Sequence, residues 1–253
     1  MAKVKDRVGE INYNKFGSKM EIIKYNTNKD IDVYFEEYNW TYHNTRYRDF
    51  EKGNIKCPYE PRYFNKGYIG EGKYNSKNLK CYNSWCNMLR RCYSEDYQNK
   101  KPTYIGCEVC EEWLNFQNFA KWFEENYYEI KGERMSLDKD ILIKGNKIYS
   151  PNRCILIPER INTLFTKRQN NRGNYPIGIT EGKNNLMVYC NTYKNNQCCI
   201  GRFKINQVEE AFQCYKQFKE KVIKQVADDY YSKGLIPKKL YDAMYRYEVE
   251  ITD

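Results

Sequence analysis

Between Ser136 and Phe165 the chain reads SLDKDILIKGNKIYSPNRCILIPERINTLF, and several of its polar residues are of types that handle metal ions and phosphate. Asp138 and Asp140 flank Lys139, Asn152 follows in a loop, and Asn162 falls near the end. Carboxylate and amide oxygens are hard donors suited to Mg2+. Hydrolysis of a phosphodiester needs such a metal to neutralise charge on the phosphate and a base to activate water. A protonated lysine cannot accept a proton, so Lys139 serves as a base only if burial or a neighbouring cation pulls its pKa far down. Asp138 and Asp140 beside it push the other way. The only histidine, His43, lies far upstream in a Tyr- and Asn-rich stretch.

The elements that must position these groups are legible. Leu137 to Ile143 alternates apolar and polar residues as a strand does, and Lys144-Gly145-Asn146 supplies a turn. A second strand is expected over Cys154 to Ile157. Pro158 stands where a helix would begin, ahead of Glu159-Arg160-Ile161-Asn162, a place that suits its fixed φ and missing N–H. The expected order is strand, loop, strand, helix.

That order, with these residues, resembles the HNH or ββα-metal nucleases. The resemblance implies that Asp138 and Asn162 hold the metal, Mg2+ or Mn2+, that Asn152 is the loop asparagine, and that Lys139 occupies the place of the general-base histidine. Around it, Trp85, Met88, Arg91-Cys92, Val109-Cys110-Glu111-Glu112-Trp113, Phe116, Phe119, LDKD and YSPNRC resemble phage-encoded homing endonucleases of this group, over roughly residues 80 to 168. Two readings stay open. In one, Lys139 positions the scissile phosphate while Asp140 or Tyr149 activates a metal-bound water; in the other, the fold persists as a DNA-docking scaffold with ordinary strand-end carboxylates.

Composition narrows the setting. At 253 residues the chain is long enough for two or three small domains, and 41% hydrophobic residues provide for real cores. Forty-three Lys and Arg against 33 Asp and Glu, a net +10, favour an anionic partner, with double-stranded DNA foremost. No apolar run is long enough to cross a bilayer, and no leader pattern is present, so the expected place is the cytosol, that of the host cell if the protein is phage-encoded. There the eleven cysteines stay reduced. They are read as packing residues; a structural Zn2+ on Cys92, Cys107, Cys110 and Cys154 is the less favoured alternative. No small-molecule cofactor is expected.

The expected fold class is α+β in four segments. Residues 1–72 read as a β-rich module, with Met20 to Tyr25 and Ile31 to Phe35 forming a hairpin about Asn26 to Asp30. Its Tyr and Asn side chains with Arg46 and Arg48 either lie on a phosphate backbone or face neighbouring elements. Residues 73–168 hold the HNH-like segment with helices over 81–94 and 111–127, whose aromatic stripes are core. A polar, turn-rich linker, Gln169 to Asn174, follows.

Residues 169–229 carry strand patterns near Ile177 to Thr180, Leu186 to Asn191 and Gln197 to Phe203. A long amphipathic helix follows from Gln207 to Asp229, on which Val208, Ala211, Tyr215, Phe218, Val222 and Val226 share a face. YPIGIT, IGRF and VEEAFQCYKQFKE resemble the ethylene-response-factor (APETALA-two) DNA-binding domain. The family inserts its uncovered sheet face into the major groove, which implies Thr180, Lys183, Tyr189, Asn191, Lys194 and Arg202 as DNA contacts. The family's strand arginines and tryptophans are replaced here by Asn, Tyr and Cys, so base preference does not carry over. The basic excess is concentrated between Leu164 and Val226, although a solvated helix face accounts for Lys216, Lys219, Lys221 and Lys224. Residues 230–253 form a tail with a short helix around Leu240 to Tyr245.

Two functions follow from these resemblances: a metal-dependent DNA endonuclease of the homing type, or a catalytically inactive DNA-binding or phage counter-defence protein that occupies DNA or a host protein.

Overall fold

The computed structural model describes residues 6–166 and 174–253, and the fold is mixed α+β. In chain order its first elements are β1 (Ile11–Tyr13), β2 (Lys19–Thr27), β3 (Asp30–Phe35), β4 (Trp40–Thr45), α1 (Tyr47–Glu51), α2 (Leu79–Tyr93), α3 (Glu95–Lys100), β5 (Glu108–Val109), α4 (Glu111–Leu114) and α5 (Phe116–Asn126). Then come β6 (Met135–Asp138), β7 (Ile148–Tyr149), β8 (Ile155–Pro158), α6 (Glu159–Asn162), β9 (Ile179–Glu181), β10 (Leu186–Asn191), β11 (Gln197–Phe203), α7 (Val208–Ser232) and α8 (Lys238–Arg246). Among the described residues no helix is long and apolar enough to cross a membrane.

The chain forms two compact units, 1–125 with 148–150, and 126–147 with 151–253. The first cut therefore falls at 125, inside the segment read from sequence as 73–168. In the first unit, β1 to β4 make an antiparallel meander. Met20 and Ile22 alternate inward with Ile31, Val33 and Phe35 to pack on Phe50 and Ile55, as a sheet with one covered face requires. The tight connection between β2 and β3 is Asn28-Lys29, two residues rather than the five expected. Trp85 of α2 is fully buried against Phe116, and its indole N–H donates to the Trp113 carbonyl at 2.8 Å. The helix expected over 111–127 is broken at Asn115. Its side-chain oxygen accepts the Gln117 N–H at 2.9 Å and so caps a new helix start at α5.

In the second unit, β6 and β8 pair antiparallel, Asp138 opposite Ile155 and Met135 opposite Pro158, and α6 packs back on both strands. The strand read over Leu137 to Ile143 ends at Asp138. There the carboxylate accepts the backbone N–H groups of Asp140 and Ile141, at 2.9 and 2.7 Å, and turns the chain out of the sheet. The linker expected at Gln169 to Asn174 lies, apart from Asn174, outside the described residues.

Strands β9, β10 and β11 form an antiparallel sheet with β10 in the centre, and α7 covers one face. Leu186, Val188 and Cys190 point to Ala211, Phe212 and Tyr215 of that helix. Further along, Val222, Ile223, Val226 and Ala227 leave the sheet and pack with Ile155, Ile157, Ile161 and Leu164, closed by Leu240, Ala243 and Met244 of α8. One helix thus serves two cores. Gly178, the glycine of YPIGIT, lets the helix approach: its φ is +80°, and a Cβ there would lie 2.1 Å from the Tyr215 ring. Gly178→Ala is expected to destabilise the chain by ~2 kcal/mol or more, measured by urea unfolding, because backbone strain and overpacking add.

Candidate nucleic-acid interface

Two surfaces hold the DNA-contact residues and the hairpin carboxylate, lysine and asparagine residues singled out by sequence, and both belong to the second unit. The first is the sheet face turned away from α7. Because strand side chains alternate, the inward set Leu186, Val188 and Cys190 leaves Met187, Tyr189 and Asn191 on the other face. Pairing extends that face across all three strands, with Met187 opposite both Thr180 of β9 and Arg202 of β11, Tyr189 opposite Cys199, and Asn191 opposite Gln197. Thr180, Asn191 and Arg202 are exposed and Tyr189 is half-buried. A register shift between Val188 and Tyr189 bends β11 locally.

The two flanking lysines sit in the connections. Lys183 is exposed in the turn between β9 and β10, which is closed by the Gly182 N–H donating to the Asn185 carbonyl at 2.8 Å. Lys194 is exposed in the turn between β10 and β11, where Asn195 adopts the left-handed backbone (φ +64°) and its side chain accepts from Asn191 Nδ2 at 3.1 Å. The structure therefore brings Thr180, Tyr189, Asn191 and Arg202 onto one uncovered face, with Lys183 and Lys194 at its two ends.

The second surface is the β6–β8 hairpin. Lys139 is buried, 6% exposed, and its ammonium donates to both carboxylate oxygens of Asp140 and to the Asn146 carbonyl, each at 2.8 Å. The Asn146 side chain answers by donating to the Lys139 carbonyl at 2.9 Å and accepting from Arg153 Nη1 at 3.2 Å. An ammonium has three donors, and these contacts engage them in tying the start of the β6–β8 connection to its middle. Asp140 keeps half its surface in solvent. Asp138 is half-buried at the strand end, and burial raises its pKa above the usual carboxylate range against the opposing pull of its backbone N–H bonds.

Asn162 closes α6 and is half-buried, and Asn152 is exposed in the turn that precedes β8. Tyr149, the other candidate base, is buried in the first unit beside Arg91, and burial pushes its phenol pKa well up. His43 also belongs to the first unit, on β4, where its Nδ1 meets Asp32 at 3.1 Å.

Of the four cysteines considered for zinc, Cys92, Cys107 and Cys110 lie in the first unit and Cys154 in the second. Among the described residues no three His, Cys, Asp or Glu side chains gather as metal ligands. Cys92, Cys107 and Cys154 are buried as small apolar side chains are.

Two groups escaped the sequence reading. Arg160 of α6 donates from Nη2 to the Tyr193 carbonyl at 2.8 Å, reaching the β10–β11 turn. Lys219 of α7 is half-buried rather than fully solvated, and burial lowers its pKa. The signal for Lys219 was present: it stands four residues after Tyr215 and four before Ile223, on the apolar stripe. No family model, curated protein or solved structure matches this chain.

Replacing Lys139 by Met keeps the aliphatic stem but leaves the buried Asn146 carbonyl without its donor. A loss of ~2 kcal/mol in urea unfolding is expected.

Proposed function

We propose that this protein binds duplex DNA through the uncovered face of the β9–β10–β11 sheet. The single observation carrying the reading is the cross-strand row Thr180–Met187–Arg202, continued by Tyr189 and Asn191 and bracketed by Lys183 and Lys194. A polar, cationic sheet face with its opposite side sealed by a helix has donors for phosphates at its ends and shorter side chains for base edges between them. The net charge of +10 supports an anionic partner. Phosphate contacts make affinity fall steeply with salt. Arg202→Ala combined with Lys183→Ala is expected to weaken duplex binding and to reduce the slope of log affinity on log salt by about 1.8, at roughly 0.9 for each phosphate no longer neutralised. Fluorescence anisotropy across a salt series measures both, and an unchanged affinity would sink the sheet-face reading.

In this reading the hairpin is a docking scaffold, in keeping with the inactive DNA-binding or counter-defence alternative. Lys139 works as its internal strut: a lysine with its three donors engaged has no place as a proton acceptor. A host protein is the competing partner, and a salt-insensitive interaction would favour it.

A second reading is kept because one observation favours it. Asp138 at a strand end and Asn162 on a helix packed back across that strand follow the order of the ββα-metal nucleases. Their oxygens suit Mg2+ or Mn2+, which would supply Lewis-acid stabilisation of the phosphate. Asp140, exposed at the mouth of the turn, is then the group left to orient water. If this reading holds, supercoiled plasmid is nicked with either ion, and Asp138→Ala or Asn162→Ala abolishes nicking while duplex affinity stays within about twofold of the parent. An intact plasmid with the unaltered chain would end the endonuclease reading.

A further inference from the structure

Strand β11 is an edge of its sheet. Among the described residues it pairs with β10 alone, and its backbone makes no backbone hydrogen bond outside that ladder. An edge of this kind is a template for a further strand. Beside it, between β11 and the flank of α7, runs an open groove of about 620 Å³. Its floor is apolar, with Ile200 and Phe203 from the strand and Cys214 and Phe218 from the helix, each half-buried. Ile200 is the extra residue of the bulge, unpaired between Cys199 and Gly201, and its carbonyl accepts from the Cys214 thiol at 3.8 Å. The bulge is thus seated on the helix, and its side chain lines the groove.

The charges at the ends of the groove are opposite. On α7, Glu210, Cys214, Gln217 and Lys221 step by four, three and four residues and so share one flank, the flank that lines the groove. Glu210 stands at one end of this row and Lys221 at the other, roughly 16 Å apart along the axis at 1.5 Å per residue, too far to pair with each other. Both are exposed, and neither makes an ion pair among the described residues. Glu209, next to Glu210, is held by the Gln213 amide at 2.8 Å. A row with an acid at one end, a base at the other and apolar groups between them is complementary to a copy of itself turned end for end.

We infer that this groove is a homodimer interface, in which β11 of one copy lies antiparallel to β11 of a second about a twofold axis near Ile200, the middle residue of the strand, and Cys214. An isologous interface requires that each contact recur with the two copies exchanged. Here Glu210 of each copy meets Lys221 of the other, and the two apolar floors merge. Neighbouring strands are ~4.8 Å apart, and α7 lies over the β10–β11 side of its sheet. Pairing of the two edges then brings the α7 axes to roughly 10 Å, the spacing at which helices pack. The axis runs along the sheet normal, so both uncovered faces point to one side. The dimer goes beyond the DNA-binding reading and does not rest on it. An extended peptide added to β11 satisfies the edge as well, but the opposite charges at the two ends of the row favour a second copy.

Sedimentation velocity of the full chain over a concentration series, without DNA, is expected to show a monomer–dimer equilibrium. Glu210→Lys and Lys221→Glu each set two like-charged pairs across the axis and should weaken dimerisation about tenfold or more, with circular dichroism unchanged. Mixed in equal amounts, the two variants regain opposite charges at both ends, so a mixed dimer with affinity near that of the parent is expected. Charges that act only within one chain predict no such rescue. Ile200→Asp, which places a carboxylate in the merged floor, should leave a monomer; if that variant fails to fold, the mixture of charge variants still decides. A parent chain that stays monomeric throughout overturns the inference and leaves the groove to a partner of another kind, such as an extended peptide. A dimer indifferent to both charge changes overturns it too and assigns self-association to a different surface.

Discussion

The second unit depends on the continuous apolar stripe of α7. Ala211, Phe212 and Tyr215 seal one face of the three-stranded sheet, and Val222, Ile223, Val226 and Ala227 seal the β6–β8 hairpin and α6. Burial of apolar side chains contributes roughly 1.5–3 kcal/mol for each large one, so this stripe is a principal source of stability for both sheet and hairpin. The face of the sheet that α7 leaves open is therefore dictated by the helix: what points inward is apolar, and what alternates with it is available for a partner. Arg160 adds a polar tie between the same two substructures by way of the Tyr193 carbonyl.

At the hairpin the decisive interaction is the bond from Lys139 to Asp140 and Asn146. A buried ammonium persists when its donors are met, and here they are met within eight residues of chain. Lys139 thereby acts as a loop clasp. Asp138 is likewise occupied, its oxygen collecting two N–H groups of the turn it initiates.

Much of this was legible in the residues, for a definite reason. β10 and β11 match their expected spans because Leu186, Val188 and Cys190 alternate with Met187, Tyr189 and Asn191, and strand period fixes both the element and its two faces. The stripe of α7 was equally plain, though the helix runs on to Ser232 where Asp229 was expected as its end. What failed were places where a side chain competes for the backbone. Asp138 ends a strand whose apolar pattern continues to Ile143, and Asn115 caps a new helix inside an unbroken aromatic stripe. Lys219 failed differently, since a run of lysines suggests solvent while its phase on the helix leaves it half-buried. The placing of α6 against the hairpin was beyond reach, because no spacing rule says how a four-residue helix folds back across two strands.

A shared rod also couples fates. Since the hairpin and the three-stranded sheet each close on α7, fraying of that helix at Tyr215 exposes apolar surface on the sheet and at Val226 on the hairpin, and Phe218 between them packs against both cores. Residues 126–147 and 151–253 should then melt in one cooperative transition, and neither half is an independent module that could be lifted out and grafted elsewhere.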